Sequence, residues 1–236
     1  MQKEEFKNFI SKIDGLINEE SCYVLYSLLK DLNMKADVLE VGAYKGRVSV
    51  ALAMAIKERN DKSKIFSIDF NYFKTKEEFL YNIQSFGLKE IIYPIFKPSS
   101  LANIGFKTPL KFIFIDTDGK YFSAKAEFIL WERFLLKGGI FAISCADSLE
   151  IKRFFKECIE DSYRFNNYQK KEAIIFAYKT KEGVYNPLII FYIQITYTIY
   201  LLFKKILYRL RKNKLFYFLN SKYFKKVLNY FLDKII

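Results

Sequence analysis

Five acids stand where a reaction could be run: Glu40, Asp69, Asp116, Asp118 and Asp147 each lie at or just beyond the end of a short apolar run. Glu40 is followed, after Val41, by Gly42-Ala43-Tyr44-Lys45-Gly46, and Ser49 opens the apolar stretch that follows. Glycines that keep side chains off the backbone, at a helix N-terminus, let a ligand approach closely. The loop lacks the G-x-G-x-x-G that holds a pyrophosphate and the G-x-x-x-x-G-K-[ST] of a phosphate loop, which disfavours a nicotinamide dehydrogenase. An acid ahead of the glycines repels phosphate and suits a cation such as a sulfonium or an amino-acid ammonium. Taken singly, each acid reads equally well as a solvated loop residue or a helix cap. Their collection at strand ends is the informative feature.

The elements that must position them follow from periodicity. Phe6, Phe9, Ile10 and Ile13 recur at helical spacing, and a second helix is expected over 18–33. Apolar runs at 37–41, 64–69, 91–96, 110–116 and 140–145 read as strands, with a helix after the first to about 59. Thr75 and Glu78 have capping-box spacing for a helix that Gly87 closes. Lys97-Pro98-Ser99-Ser100 reads as a turn, and helices are expected over 122–136 and 148–161. The runs 163–168 and 173–178 suit an antiparallel hairpin at the sheet edge. Strands alternating with helices imply right-handed crossovers and an α/β, Rossmann-like, doubly wound, mainly parallel sheet. In such sheets a ligand lies outside the carboxyl ends of the strands, where the five acids collect.

Composition narrows the class. The 236 residues are 51% hydrophobic and 19% aromatic, ample for a core and too apolar for disorder. Three cysteines with no C-x-x-C pair and no histidine argue against structural zinc and fit a reducing cytoplasm. The N-terminus carries acids and no apolar signal-peptide core. The net charge of +13 invites a nucleic-acid partner, but its distribution argues otherwise. Residues 187–236 hold ten Lys or Arg and one acid, a net +9, which leaves only +4 on the preceding 186 residues. No nucleic acid is expected. The expected organisation is a ligand-binding domain over 1–182, opened by helices within 1–34, and a basic, apolar tail over 183–236.

Glu40-x-Gly42-x-x-x-Gly46-x-x-Ser49, with Asp69 after the second strand, resembles the first two motifs of class I S-adenosylmethionine-dependent methyltransferases. Ile115-Asp116-Thr117-Asp118-Gly119-Lys120-Tyr121, followed by Trp131 and Leu136-Lys137-Gly138-Gly139, is similar to a narrower subgroup, the small-molecule and sugar O-methyltransferases of antibiotic and surface-polysaccharide pathways. The resemblance runs over about 37–147. It implies S-adenosylmethionine as cofactor, with Glu40, Gly42, Ala43, Gly46, Ser49, Asp69 and Asp116 around it, Asp69 holding the ribose hydroxyls. In metal-dependent members the first aspartate of D-x-D binds Mg²⁺ and the second is the base; Asp116 and Asp118 match those positions. Departures are Gly119, where many relatives have histidine, and Ser144-Cys145, where metal-dependent members carry an acidic pair. Without histidine, Asp118 is the first choice of base and Asp147 the second, with Lys120 positioning substrate.

The tail poses a separate question. Residues 183–203 form 21 positions without a formal charge, followed by Lys204, Lys205, Arg209, Arg211, Lys212 and Lys214. The length suffices for a bilayer. A single crossing would place either the basic flank or the cofactor domain on the wrong side, so an interfacial or re-entrant helix is expected. Leu215, Phe218, Leu219, Val227, Leu228, Phe231, Leu232 and Ile235 continue at helical spacing with Lys222, Lys225 and Lys226 between them. The alternative is a helix pair covering the domain or a second copy in a homo-oligomer. The expected activity is methylation of a sugar or lipid-linked glycan acceptor at the inner face of the cytoplasmic membrane. Two rivals are a membrane-tethered, cofactor-binding scaffold without catalysis and a nucleic-acid methyltransferase; the latter is opposed by the absence of a [DN]-P-P-[YFW] motif.

Overall fold

The computed structural model describes residues 1–210 except Tyr72 and Val184. The amphipathic stretch expected from Leu215 to Ile235 lies outside the described residues. Seven strands form one sheet ordered β3-β2-β1-β4-β5-β7-β6. They are β1 (Asp37–Val41), β2 (Ile65–Ile68), β3 (Ile92–Ile95), β4 (Leu110–Ile115), β5 (Leu135–Ile143), β6 (Phe165–Lys171) and β7 (Ile174–Lys179). The first five are parallel, and β7 pairs antiparallel with both β5 and β6. The chain order reverses between β1 and β4, which makes that point the crevice of a doubly wound sheet.

Helices cover both faces. On one side α1 (Lys3–Ile10), α2 (Glu19–Asp31), α3 (Arg47–Glu58) and α4 (Lys76–Ser85) bury Phe6, Leu25, Leu52 and Phe79 against Phe112 and Phe114 of β4. On the other, α5 (Ser99–Ala102), α6 (Tyr121–Trp131), α7 (Leu149–Phe155) and α8 (Pro187–Leu210) pack Phe128, Trp131, Phe154 and Ile193 against Ile113 and Ile115. Every residue of β4 is buried, so this strand reads as a continuous apolar run rather than an alternating one. Its single polar member, Lys111, is fully buried at a shift in register and reaches Asp61, Ser63 and the Met34 carbonyl.

Several boundaries differ from expectation for identifiable reasons. Asn18 caps α2 by accepting from the Ser21 N–H at 2.9 Å. Thr75 does not form the expected capping box. Its hydroxyl donates instead to the Tyr44 carbonyl at 3.1 Å, while Glu78 pairs with Lys45. Residues 97–100 are not a simple turn, because Ser99 begins α5. The helix expected to reach 136 ends as a 3₁₀ turn at Glu132–Phe134, and Leu136 joins β5. There the ladder with β4 skips from Leu110↔Leu135 to Phe112↔Ile140 and absorbs Lys137-Gly138-Gly139. α7 continues through a π-helical turn, Lys156–Glu160.

α8 belongs to the fold rather than hanging from it. Pro187 sits at its first position, where a missing N–H costs nothing. Ile190, Ile193 and Tyr197 are buried. Gln194 donates to Asn103 at 3.1 Å, and the hydroxyls of Ser100 and Thr198 bond at 2.6 Å. Leu188, Phe191, Ile195, Ile199, Leu202 and Ile206 line the opposite, exposed face at helical spacing. The helix is also long and apolar enough to cross a membrane.

Candidate active site

A cavity of about 510 Å³ opens at the carboxyl ends of β1, β2 and β4, within the range of small-molecule sites. Its floor includes Val41, Gly42, Tyr44, Asp69, Asp116 and Thr117, and α8 supplies Tyr197, Leu201, Lys204 and Tyr208 as the opposing wall.

The glycine loop is held in one shape from several directions. Gly42 has φ of +92°, and a Cβ there would stand 2.7 Å from the Asp116 carbonyl oxygen, so only glycine fits. Gly46 has φ of +89° at the start of α3, and a Cβ there would press on the Phe79 ring at 3.1 Å. The Asp69 carboxylate accepts from the Tyr44 N–H at 2.7 Å and the Asn71 N–H at 2.5 Å, tying the loops after β1 and β2 together. Asn82 of α4 donates to the Lys45 carbonyl at 2.8 Å. Ala43 is buried under this loop.

Glu40 and Ser49 lie behind the loop rather than among the lining residues. Glu40 is fully buried, and its Oε2 accepts from Ser49 and, at 2.7 Å, from Ser67. Its Oε1 has no hydrogen-bond partner among the described residues. Burial pushes the Glu40 carboxyl up to about 7. The Asp116 carboxyl, accepting from Ser144 at 2.5 Å, is pushed by burial up to about 6.

Asp118 faces the cavity, and α8 grips it. Its Oδ2 accepts from Lys204 Nζ at 2.7 Å and from the Tyr200 hydroxyl at 3.2 Å. Burial by itself raises this carboxyl, but the Lys204 charge and hydrogen bond outweigh it and hold the group below the usual aspartate value.

The structure moves two expected residues away. Asp147 pairs with Lys170 of β6 at 2.5 Å in an exposed bridge, so it is not beside the cavity. Lys120 turns outward to Glu150 at 2.8 Å, because that acid also accepts the Tyr121 N–H at the start of α6. The possible Mg²⁺ site at Asp116 and Asp118 finds no support. Among the described residues no group of three or more His, Cys, Asp or Glu could hold a metal ion. The carboxylates of Asp116 and Asp118 are engaged by Ser144 and Lys204, which leaves an ammonium beside Asp118 where a divalent cation would need a free carboxylate.

Other lining residues were not foreseen. Glu127 of α6 is buried, accepts from Ser99 at 2.5 Å and Trp131 Nε1 at 3.2 Å, and bonds the Tyr197 hydroxyl. An acid amid Phe122, Phe128, Ile129 and Leu130 is a signal that could have found it. Phe70 and Phe73 wall the loop after β2, and Tyr197, Leu201, Lys204 and Tyr208 share one face of α8 at spacings of four, three and four.

A pH dependence of stability follows. Burial also holds Glu127 up at about 7. Native Glu40 and Glu127 keep protons that the unfolded chain releases above its ordinary value of 4.5. Their contribution is complete below pH 4.5 and is lost as pH rises to about 7, at most about 1.4 kcal/mol per pH unit for each group. Melting temperature should therefore fall between pH 4.5 and 7 in unliganded protein, and Glu40→Gln should flatten that slope.

Comparison with known proteins agrees with this geometry. Residues 39–144 match the family described as a methyltransferase domain. The O-methyltransferase NovP superposes with a TM-score of 0.62 at 11% identity, over 71% of this chain and 82% of NovP. The SAH-bound methyltransferase PaMTH1 of Podospora anserina gives 0.61 at 14% identity, over 76% of this chain and 88% of its own. Cofactor-bound Rv0187 from MTB gives 0.61 at 14% identity, over 77% and 88%. At these identities the likeness is one of fold. No curated protein matches in sequence. Residues 39–144 thus carry the methyltransferase-domain match, on a fold shared with these solved methyltransferases.

Proposed function

We propose that the chain is an O-methyltransferase acting on a sugar or lipid-linked glycan, of the surface-polysaccharide kind, at the inner face of the cytoplasmic membrane. One observation carries the reading: α8 lines the cavity with one face and exposes an apolar stripe with the other. Arg209 follows that stripe, and seven more Lys or Arg lie in 211–236. Acidic head groups attract each such residue by about 1 kcal/mol near the surface. A helix lying on the membrane would hold the cavity beside a lipid-borne acceptor. On this reading 1–182 is the catalytic unit, and 183–236 is the membrane-facing part that also closes it.

Bound S-adenosylmethionine supplies an activated sulfonium methyl group for in-line displacement. Gly42 leaves room for it, and Asp69 stands at the exit of β2 to take ribose hydroxyls. Asp116 provides negative charge near a cationic ligand, while Glu40 stands behind the loop. Asp118 accepts the acceptor hydroxyl's proton as the new bond forms. Phe70, Phe73 and α8 supply the apolar part of the cavity wall.

Detergent-solubilised full-length protein should move labelled methyl from S-adenosylmethionine into a lipid-linked glycan fraction. Asp118→Asn should slow that transfer by about 10²–10⁴-fold while cofactor still binds. Label appearing only in nucleic acid would reject the acceptor class. The displacement of Asp147 and Lys120 from the cavity favours one second reading, a non-catalytic cofactor-binding scaffold. Cofactor binding without transfer to any glycan fraction would establish it.

A further inference from the structure

The second acid of the D-x-D meets a lysine. Lys204 Nζ lies 2.7 Å from Asp118 Oδ2, with both side chains about one-third exposed, at the edge of the cavity that Asp116 and Thr117 floor. Its helix is fixed at both ends of this contact. Toward the N-terminus, Tyr197 bonds Glu127 and Thr198 bonds Ser100. Toward the C-terminus, Lys205 donates to the Phe70 carbonyl at 2.8 Å, and the Tyr208 ring meets Phe73 edge-on at 5.3 Å. Lys204 is therefore placed over Asp118 by packing on two separate elements rather than by a loose surface encounter.

We propose that Lys204 is the acceptor-orienting cation of this site, its ammonium holding the Asp118 carboxylate and the acceptor oxygen together. An ammonium has three N–H donors and no acceptor, so it can hold a carboxylate and an acceptor oxygen together. It is a compact point charge on a flexible stem, suited to following an acceptor into place. It also accounts for two departures: among the described residues no third ligand completes a metal site beside Asp116 and Asp118, and the residue after the D-x-D is Gly119. The cation arrives on the tail helix, so the element facing the membrane also orients the acceptor. Lys204 is a positioning residue, and Asp118 remains the base.

This inference rests on the methyltransferase reading, and the test separates the two by measuring cofactor and metal in the same samples. The probes are Mn²⁺, followed by electron paramagnetic resonance, and S-adenosylmethionine, followed by calorimetry, on full-length protein in detergent. Wild type should bind no Mn²⁺ at millimolar concentration, with or without cofactor. Lys204→Met should gain Mn²⁺ binding, Lys204→Met with Asp118→Asn should lose it again, and Lys204→Arg should exclude the ion as wild type does. Mn²⁺ bound by wild type and lost in Asp118→Asn would overturn the proposal. So would a Lys204→Met variant that melts as wild type does yet binds no Mn²⁺. Cofactor affinity within about threefold of wild type in every variant would show that the methyltransferase site is intact. Its absence throughout would count against the methyltransferase reading and leave the Mn²⁺ result to decide the role of Lys204.

Discussion

Glu132→Ala should lower the stability of the fold by about 3–5 kcal/mol, the loss expected when one partner of a buried ion pair is removed. Glu132 is fully buried between α6 and β5. Its Oε2 accepts from Arg164 at 2.8 Å and from the Tyr185 hydroxyl, and its Oε1 stands 3.1 Å from Lys179 Nζ. Lys179 is itself buried on β7, where it donates to the Leu135 carbonyl at 2.7 Å. Without Glu132 the Lys179 ammonium keeps only carbonyls and the exposed Glu182. The cluster joins β5, the β6–β7 hairpin and the approach to α8, so its loss should loosen the edge of the sheet that carries the tail. At this chain length the melting temperature should drop by on the order of 10 °C. Glu132→Leu combined with Lys179→Met should recover most of the loss, because replacing both charges leaves neither buried alone. A Glu132→Ala variant that melts as wild type does would show that the cluster contributes little.

Gly42→Val should abolish measurable cofactor binding. Two costs coincide at this position. A β-branched residue resists φ of +92°, a strain of about 1–3 kcal/mol, and its Cβ would meet the Asp116 carbonyl at 2.7 Å, where backbone cannot yield cheaply. Relief requires the loop to move off the exit of β4, separating Gly42 from Asp116 and dragging Tyr44 from Asp69. A displacement near 1 Å in a reacting site costs about 10²-fold in rate, so transfer should fall at least that far. Gly105→Ala is the control. It has φ of +77° with open space around it, and it does not line the cavity. It should cost stability through strain alone and leave cofactor affinity unchanged. Equal loss of binding in both variants would mean that strain, rather than the Gly42 contact, sets the effect.

The parts of this molecule legible in the sequence are those fixed by local pattern. Apolar runs ending in Glu40, Asp69 and Asp116 were readable because a strand buried on both faces must be apolar throughout, and its polar exit is abrupt. The glycine loop was readable because positive φ restricts the residue choice. Tertiary competition concealed the rest. Thr75 had a cap available within its own helix, yet the Tyr44 carbonyl took its hydroxyl. Asp147 and Lys120 follow strand ends as catalytic residues would, but each found an opposite charge on a neighbouring element, Lys170 and Glu150. The inner face of α8 was the hardest to see. Tyr197, Leu201, Lys204 and Tyr208 lie within or beside an apolar stretch whose length suggests only a membrane, and nothing local assigns one face to a cavity. Glu127 was within reach, because an acid inside an apolar helix must find partners.

The most direct test of the central claim is a calorimetric titration of full-length protein with S-adenosylmethionine and its demethylated product, with Asp69→Ala beside wild type and NAD and a nucleotide sugar as alternatives. Wild type should bind both sulfur nucleotides at one site, and Asp69→Ala should lose that binding. At 100 times the dissociation constant, bound cofactor should stabilise the fold by about 2.7 kcal/mol. Binding of NAD or the nucleotide sugar, with neither sulfur nucleotide bound, would contradict the assignment of this cavity.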